Sequence, residues 1–310
     1  MEQFTVVGID VSKDRLDVHV LPAGEAWSVS RDGEGLAELC RRLGGTARLV
    51  ALEATGGYET VVAATLSSEG MPVVVVNPAQ VRAFAHALGQ RAKTDPIDAR
   101  VIARFAEATR PEIRPLPDRA TRLLADLVAR RRQIVEMIVA ERQRLHRTEP
   151  PRVRKSIARL LKALEKELAS VDGDIDGSVR GSPVWREKED LMASVPGIGP
   201  IIARTMLAEL PELGTLDPKR IVALAGLAPF TRQSGAWKGK ASIGGGRSVV
   251  RTALFIGAQV AKRWNPTLKV FYDRLIAAGK PKMVATIAVA RKLLTILNAI
   301  LRDKTPWQNA

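Results

Sequence analysis

Two aspartates three residues apart, in Lys93-Thr94-Asp95-Pro96-Ile97-Asp98-Ala99-Arg100, flank a proline that suits the first turn of a helix. That spacing puts both carboxylates on one helix face. By itself the pair reads two ways. Asp95 can cap the helix with Asp98 near its positive end, or the two acids can share a divalent cation that relieves their repulsion. Asp10 and Glu53 bear on the choice. Each stands where an apolar run stops, Phe4 to Ile9 before the first and Leu49-Val50-Ala51-Leu52 before the second. Ligands of open α/β sheets bind outside the carboxyl ends of strands, so acids at two such ends can face one crevice. Each acid taken singly is also an ordinary turn residue.

A second group of reactive residues lies far along the chain. Ser234 sits in Thr231-Arg232-Gln233-Ser234-Gly235, followed by Trp237-Lys238-Gly239-Lys240 and by Gly244-Gly245-Gly246-Arg247. A serine among Arg232, Lys238, Lys240, Arg247 and Arg251 makes a plausible phosphate seat. The triple glycine lets backbone approach a ligand, and a helix starting near Ser248 would present its N-terminus there. A solvated loop is the alternative. Upstream, Val195-Pro196-Gly197-Ile198-Gly199 has the form of a helix-hairpin-helix turn, whose amides at Gly197 and Gly199 can hold a phosphate without reading bases. The same glycines could instead let two helices pack closely.

Bulk composition narrows the chemistry. The chain has 310 residues, 46% of them hydrophobic, enough for a full core and about two domains. Its formal net charge is +15, with a sequence pI near 10.4, and a phosphate polymer is the natural partner of such a surface. No apolar run reads as long enough to span a membrane, and the start lacks the order of a signal peptide, so a cytoplasmic location without membrane contact is expected. One cysteine and three histidines exclude a disulfide framework and disfavour a Cys/His zinc cluster. A metal here would be held by oxygen.

The elements that must position these residues follow from periodicity. Strand-like segments up to Asp10, at Arg15 to Leu21 and at Ala26 to Ser30 precede alternating helix and strand, which predicts an α/β domain with a mixed sheet. In Arg15 to Leu21, Leu16, Val18 and Val20 alternate with Arg15, Asp17 and His19. From about Arg119 the chain turns helical and arginine-rich. Ile157, Leu161, Leu164, Leu168, Val171 and Ile175 mark a coiled-coil seam, and Leu124, Leu127, Ile134, Ile138 and Leu145 a weaker one broken by Arg131 and Glu141. Pro150-Pro151 separates the two helices, which pair with each other, with another domain or with another subunit. Gly173 to Pro183 reads as a turn-rich linker to a second globular part. The expected division is 1–115, 116–185 and 186–310.

Six motifs then stand in one order: Gly8-Ile9-Asp10-Val11-Ser12-Lys13, Glu53-Ala54-Thr55-Gly56-Gly57-Tyr58, the Asp95/Asp98 stretch, Val195 to Gly199, Ala225-Gly226-Leu227-Ala228-Pro229, and Ser234-Gly235. Across essentially the whole chain this series resembles the DEDD insertion-sequence transposases, the IS-one-ten family. The resemblance implies a ribonuclease-H-like (RuvC-like) N-terminal domain, a coiled-coil middle and a mostly helical transposase domain. It implies that Asp10, Glu53, Asp95 and Asp98 hold one or two Mg²⁺ ions and that Ser234 is a nucleophile that becomes covalently attached to DNA. Donor and target DNA and a structured guide RNA encoded by the element are the partners it implies; because the acids and the serine fall in different expected domains, a composite site between subunits of a homo-oligomer, dimer or tetramer, is also expected. The rival readings are a structure-selective nuclease using metal-activated water, a non-catalytic nucleic-acid scaffold, and a phosphotransferase of the actin and sugar-kinase fold. The last lacks phosphate-cradling glycines after its first strand.

Overall fold

The computed structural model describes residues 4–45, 47, 49–90, 95–113, 118–231, 233–235, 237–239 and 241–308, with backbone alone for residues 95–97 and 237–238. The chain forms two compact units, Met1–Leu116 and Pro117–Ala310.

Unit 1 is a five-stranded mixed sheet covered on both faces. Its strands are β1 (Val6–Val11), β2 (Arg15–Leu21), β3 (Glu25–Ser30), β4 (Leu49–Glu53) and β5 (Val73–Val76). They lie in the order β3-β2-β1-β4-β5. β1 and β2 form the expected antiparallel hairpin, while β4 pairs with both β1 and β5 in parallel. The helices are α1 (Gly33–Leu43), α2 (Glu59–Ser68), α3 (Pro78–Ala87) and α4 (Asp95–Thr109). Because successive strand residues point to opposite faces, Val7, Ile9, Val11, Leu16 and Val18 pack with Leu39 and Leu66 of α1 and α2. Val6, Leu49, Ala51 and Val76 pack with Val81 of α3 and Ile102 and Phe105 of α4. The acids share the parity of this second set.

Unit 2 is almost wholly helical: α5 (Arg119–Arg147), α6 (Pro151–Gly181), α7 (Pro183–Ala193), α8 (Pro200–Glu209), α9 (Pro218–Leu224), α10 (Ser248–Trp264), α11 (Pro266–Ala277) and α12 (Lys282–Asp303), with a small hairpin of β6 (Gln233–Ser234) and β7 (Trp237–Lys238). The sequence writes several helix starts as a capping residue followed by proline. Ser182-Pro183, Asp217-Pro218 and Asn265-Pro266 each place a side-chain oxygen on a first-turn amide, which satisfies an otherwise orphaned donor. α5 and α6 run antiparallel, as the cross-helix pairs Arg131–Asp172 and Arg142–Glu165 show. The seam residues Leu124, Ile134, Ile138, Leu161, Val171 and Ile175 are buried, in one core with Met192, Met206, Leu254 and Leu293. The helical pair is therefore built on the same core as the helices that follow it.

Two expectations are corrected here. Gly173 to Pro183 is not a linker, since α6 runs unbroken through Gly173 and Gly177 to Gly181. Glycine costs helix stability, but Val171, Ile175 and Val179 are buried along that stretch and their packing outweighs it. Nor is every apolar run short. α12 is 22 residues long and, by length and composition, apolar enough to cross a membrane; half of its most apolar stretch is buried inside the protein, as befits a core helix carrying Val289, Leu293, Leu294 and Leu297.

Candidate active site

Asp10 and Glu53 come together because β1 and β4 are parallel and in register. The ladder pairs Gly8 with Ala51 and Ile9 with Leu52, so the next residues on the two strands are Asp10 and Glu53, neighbours about 4.8 Å apart in backbone spacing. Both are half-buried and stand at the carboxyl ends of adjacent central strands.

α4 brings the other acids to the same end. A Cβ on Gly8 would lie 2.3 Å from the Ala99 carbonyl oxygen and 2.3 Å from the Ala103 nitrogen, so α4 lies directly on β1 at that point. At the other end of the contact, the Arg110 guanidinium stands 5.4 Å from the centroid of the Phe4 ring. Moving from Phe4 to Gly8 covers about 13 Å of strand, and moving back from Arg110 to residues near 101 covers about 13 Å of helix. The helix thus runs antiparallel to β1. Two more strand residues reach Asp10, and the matching step of about 7 Å along the helix reaches the turn that holds Asp95 and Asp98. Asp98 is half-buried there; Asp95 is the first residue of α4, and its side chain lies outside the described residues.

The same face carries two buried polar residues of β2, which alternate in sequence with its apolar ones. Asp17, opposite Asp10 in the β1–β2 ladder, is 5% exposed and receives the Arg15 fork, with Nε 2.9 Å from Oδ2 and Nη2 on Oδ1. His19, opposite Gly8, is 8% exposed. Burial first, then the charges of Arg100 and Arg104 on α4, push its pKa below the usual histidine value. The alternation in sequence separates the two faces of β2 but cannot show that α4 covers the polar one.

In unit 2, Ser234 is exposed and pairs with Trp237 across the β6–β7 hairpin, whose turn begins at Gly235 with φ +55°. The stem is closed by Phe230 and Ser242, which exchange backbone hydrogen bonds of 2.9 and 3.1 Å. Its root is clamped by glycines. A Cβ on Gly226 would fall 2.2 Å from the Gly245 carbonyl, and one on Gly246 2.4 Å from the Gly226 nitrogen. The glycines at Gly245-Gly246 thus bring the loop's exit onto the Ala225-Gly226 turn, so here backbone approaches backbone rather than ligand.

The two arginines of the expected phosphate seat that lie among the described residues hold this root. Arg247 forms a two-pronged pair with Glu212, at 2.5 and 2.7 Å, and donates to the Glu209 carbonyl at 2.9 Å. Arg251 donates to the Gly245 carbonyl at 2.7 Å. Arg232, Lys240 and the Lys238 side chain lie outside the described residues. At the other candidate phosphate site, α7 and α8 flank a short turn. Gly197 has φ +109°, and a Cβ there would meet the Ala261 side chain on α10 at 2.7 Å, so this glycine serves close packing. Gly199 is the N-cap residue of α8 and has open space around it.

The donor set of unit 1 suits a hard divalent cation, being carboxylate oxygen throughout. Among the described residues, which leave out the side chain of Asp95, no group of three or more metal-ligating side chains is drawn together. The register-matched pair Asp10 and Glu53 suits such an ion in chemistry, but Asp98, on the first turns of α4, is not gathered with them into a metal-sized group.

A family model for DEDD transposases of the IS110 type, described as a transposase, matches residues 7–148, and one described as Transposase IS116/IS110/IS902 family matches residues 189–273. The chain is 29% identical over 317 aligned residues to the pilin gene-inverting protein of Moraxella bovis, covering 98% of this chain and 97% of the relative. It is 29% identical to the insertion element IS110 uncharacterized 43.6 kDa protein of Streptomyces coelicolor, over 50% of this chain and 38% of that one. It is 31% identical to the insertion element IS900 uncharacterized 42 kDa protein of Mycobacterium paratuberculosis, over 49% and 40% respectively.

Proposed function

The chain belongs to the IS110-type family of DEDD transposases, and from that premise we propose that it cuts and rejoins DNA through a phosphoserine intermediate. As a transposase it is a DNA recombination enzyme acting on DNA, and membership of the DEDD type implies use of a divalent metal. The finer reading is that Asp10, Glu53, Asp95 and Asp98 hold one or two Mg²⁺ ions at the carboxyl end of a ribonuclease-H-like sheet. Bound there, the metal would neutralise charge on the scissile phosphate. The observation that carries this reading is the register that makes Asp10 and Glu53 neighbours under the first turns of α4.

Ser234 supplies the attacking oxygen. Its Oγ–P bond forms as the bond from phosphorus to the departing strand breaks, and the departing oxygen takes up a proton. One phosphodiester is exchanged for another, so the reverse attack by a strand end rejoins DNA without an added energy source. A near full-length relative named for inverting a gene supports rejoining rather than cleavage alone. Arg232, Lys238 and Lys240 are the cations we assign to the phosphate, with Arg247 and Arg251 fixing the loop root that carries the serine. The α7–α8 turn at Gly197 and Gly199 is assigned to DNA backbone as a helix-hairpin-helix.

The functional parts are 1–115 for the metal, 116–185 as a coiled coil whose seam is filled within the chain, and 186–310 for the serine. A dimer or tetramer would let the acids of one subunit meet the serine of another, with a structured RNA of the element guiding donor and target. Trapping on nicked DNA tests the core of this: wild type should give a protein–DNA adduct that Ser234→Ala does not. Free cleaved ends without adduct would mean that activated water attacks instead, and an adduct in Ser234→Ala would remove the serine from the mechanism. Recombination between marked donor and target DNA, with and without co-expressed flanking RNA, tests the guide.

A further inference from the structure

We propose that Arg15 is a phosphate-binding residue beside the acidic site, and that Asp17 is the residue that positions it. The inference rests on the reading that Asp10 works on a phosphodiester. Asp17 stands opposite Asp10 in the antiparallel ladder, on the face covered by α4, so two carboxylates meet across adjacent strands. A buried carboxylate is unfavourable unless it is paired. Arg15 pairs it through two N–H groups on one edge of its guanidinium, Nε to Oδ2 at 2.9 Å and Nη2 to Oδ1.

The pair is lopsided in a way that neutralising Asp17 does not require. The Asp17 side chain is 7% exposed and the Arg15 side chain 51%, so the anionic end is sunk in the sheet and the cationic end stands at the surface. Arg15 lies two residues nearer the hairpin turn than Asp17, about 7 Å along the strand, and so just beyond Asp10 at the carboxyl end of β1. Its backbone is held too. Ser12 donates its hydroxyl to the Arg15 carbonyl at 2.8 Å and accepts from the Arg15 amide at 3.1 Å. A guanidinium fixed at backbone and side chain, beside an acid that serves a phosphate, is pre-organised to bind that phosphate or its neighbour. In this role Arg15 touches the substrate and Asp17 acts through Arg15.

The test uses the full chain, a synthetic branched DNA in calcium across a salt series, and manganese binding measured without DNA by electron paramagnetic resonance. Arg15→Ala should bind DNA about tenfold more weakly at low salt and lower the salt slope by about one, with manganese affinity unchanged. Arg15→Lys keeps the charge without the fork; it should restore the slope but only part of the affinity. Removing the negative charge in Asp17→Asn would by itself tighten DNA binding, so weaker binding there reports lost positioning, and Arg15→Ala/Asp17→Asn should be no weaker than Arg15→Ala. Unchanged affinity and slope in Arg15→Ala, in protein that melts like wild type, would overturn the proposal; if Arg15→Ala does not fold, an Arg15→Lys variant that folds and binds like wild type overturns it equally. A further loss from Asp17→Asn in the Arg15→Ala background would overturn the positioning role. Wild-type protein that binds no manganese would instead overturn the metal reading, and that is scored before any DNA is added.

Discussion

The backbone nitrogen of Ala103 lies 2.3 Å from the point that a methyl group on Gly8 would occupy. That closeness sets the height of α4 above β1. It therefore sets how near Asp98 comes to Asp10 and Glu53, which share no element with it. Ala99 and Ala103 are themselves buried, so small residues on both sides of the contact let helix and strand backbones meet.

Gly8→Ala is expected to push α4 off the sheet, because the atoms in the way are backbone and cannot rotate aside. Overpacking of this kind costs about 1–3 kcal/mol. Hydrogen exchange on the full chain should show faster exchange in β1 and α4, with α10 and α12 unchanged. Manganese affinity should fall although no carboxylate has been altered. Equal protection in β1 and α4 of the variant would show that the contact does not set the site.

Glu212→Ala tests the root of the serine loop. It leaves the Arg247 guanidinium, one-third exposed, without its two-pronged partner, a loss of about 1–3 kcal/mol for a charge-assisted pair. The adduct yield at Ser234 should drop while affinity for DNA stays within about twofold. If Arg247 bound the phosphate directly, freeing it from Glu212 would leave the yield unchanged or raise it. A rise would move Arg247 from the loop root to the substrate.

Much of unit 1 is legible in sequence because its strands are short apolar runs that stop at an acid. Asp10 and Glu53 can be singled out that way, but their adjacency follows from strand order and register, which are long-range. Asp17 and His19 escape notice for a related reason: period-two alternation shows which residues share a face and not what covers it. The glycines fail differently. Gly244-Gly245-Gly246 reads as open backbone for a ligand, whereas Gly246 accommodates the backbone of Gly226, about twenty residues upstream. Gly173 and Gly177 read as a break because local propensity is weighed without the core that Val171, Ile175 and Val179 enter.

Those two helical glycines give a prediction of opposite sign. Both are exposed, and a Cβ at either would meet nothing within 4 Å. Alanine therefore adds no clash, favours the helix and narrows the unfolded ensemble. Gly173→Ala and Gly177→Ala should each stabilise by about 0.5–1 kcal/mol, roughly additively. Urea unfolding followed by helical circular dichroism measures it. A destabilised double variant would mean that α6 needs to bend or open there, for instance when a partner helix or nucleic acid docks.

His19 makes the stability of unit 1 depend on pH in a definite direction. Burial, then Arg100 and Arg104, disfavour its charged form in the folded protein, while the unfolded chain titrates near the usual value of about 6.5. Asp17, on the same strand face, is the nearby acid that would oppose this, but it is paired with Arg15. Below that usual value the unfolded state holds the proton and the folded state resists it, so stability falls as pH falls. Above it both states are neutral and the contribution is complete. The slope approaches about 1.4 kcal/mol per pH unit at most, the value for one proton. Urea unfolding at about pH 7.5 and about pH 5.5, reported by exchange in β1 and β2, should show a loss on acidification that His19→Gln removes in part. Equal losses in wild type and variant would assign the acid sensitivity to the carboxylates and leave His19 no role in it.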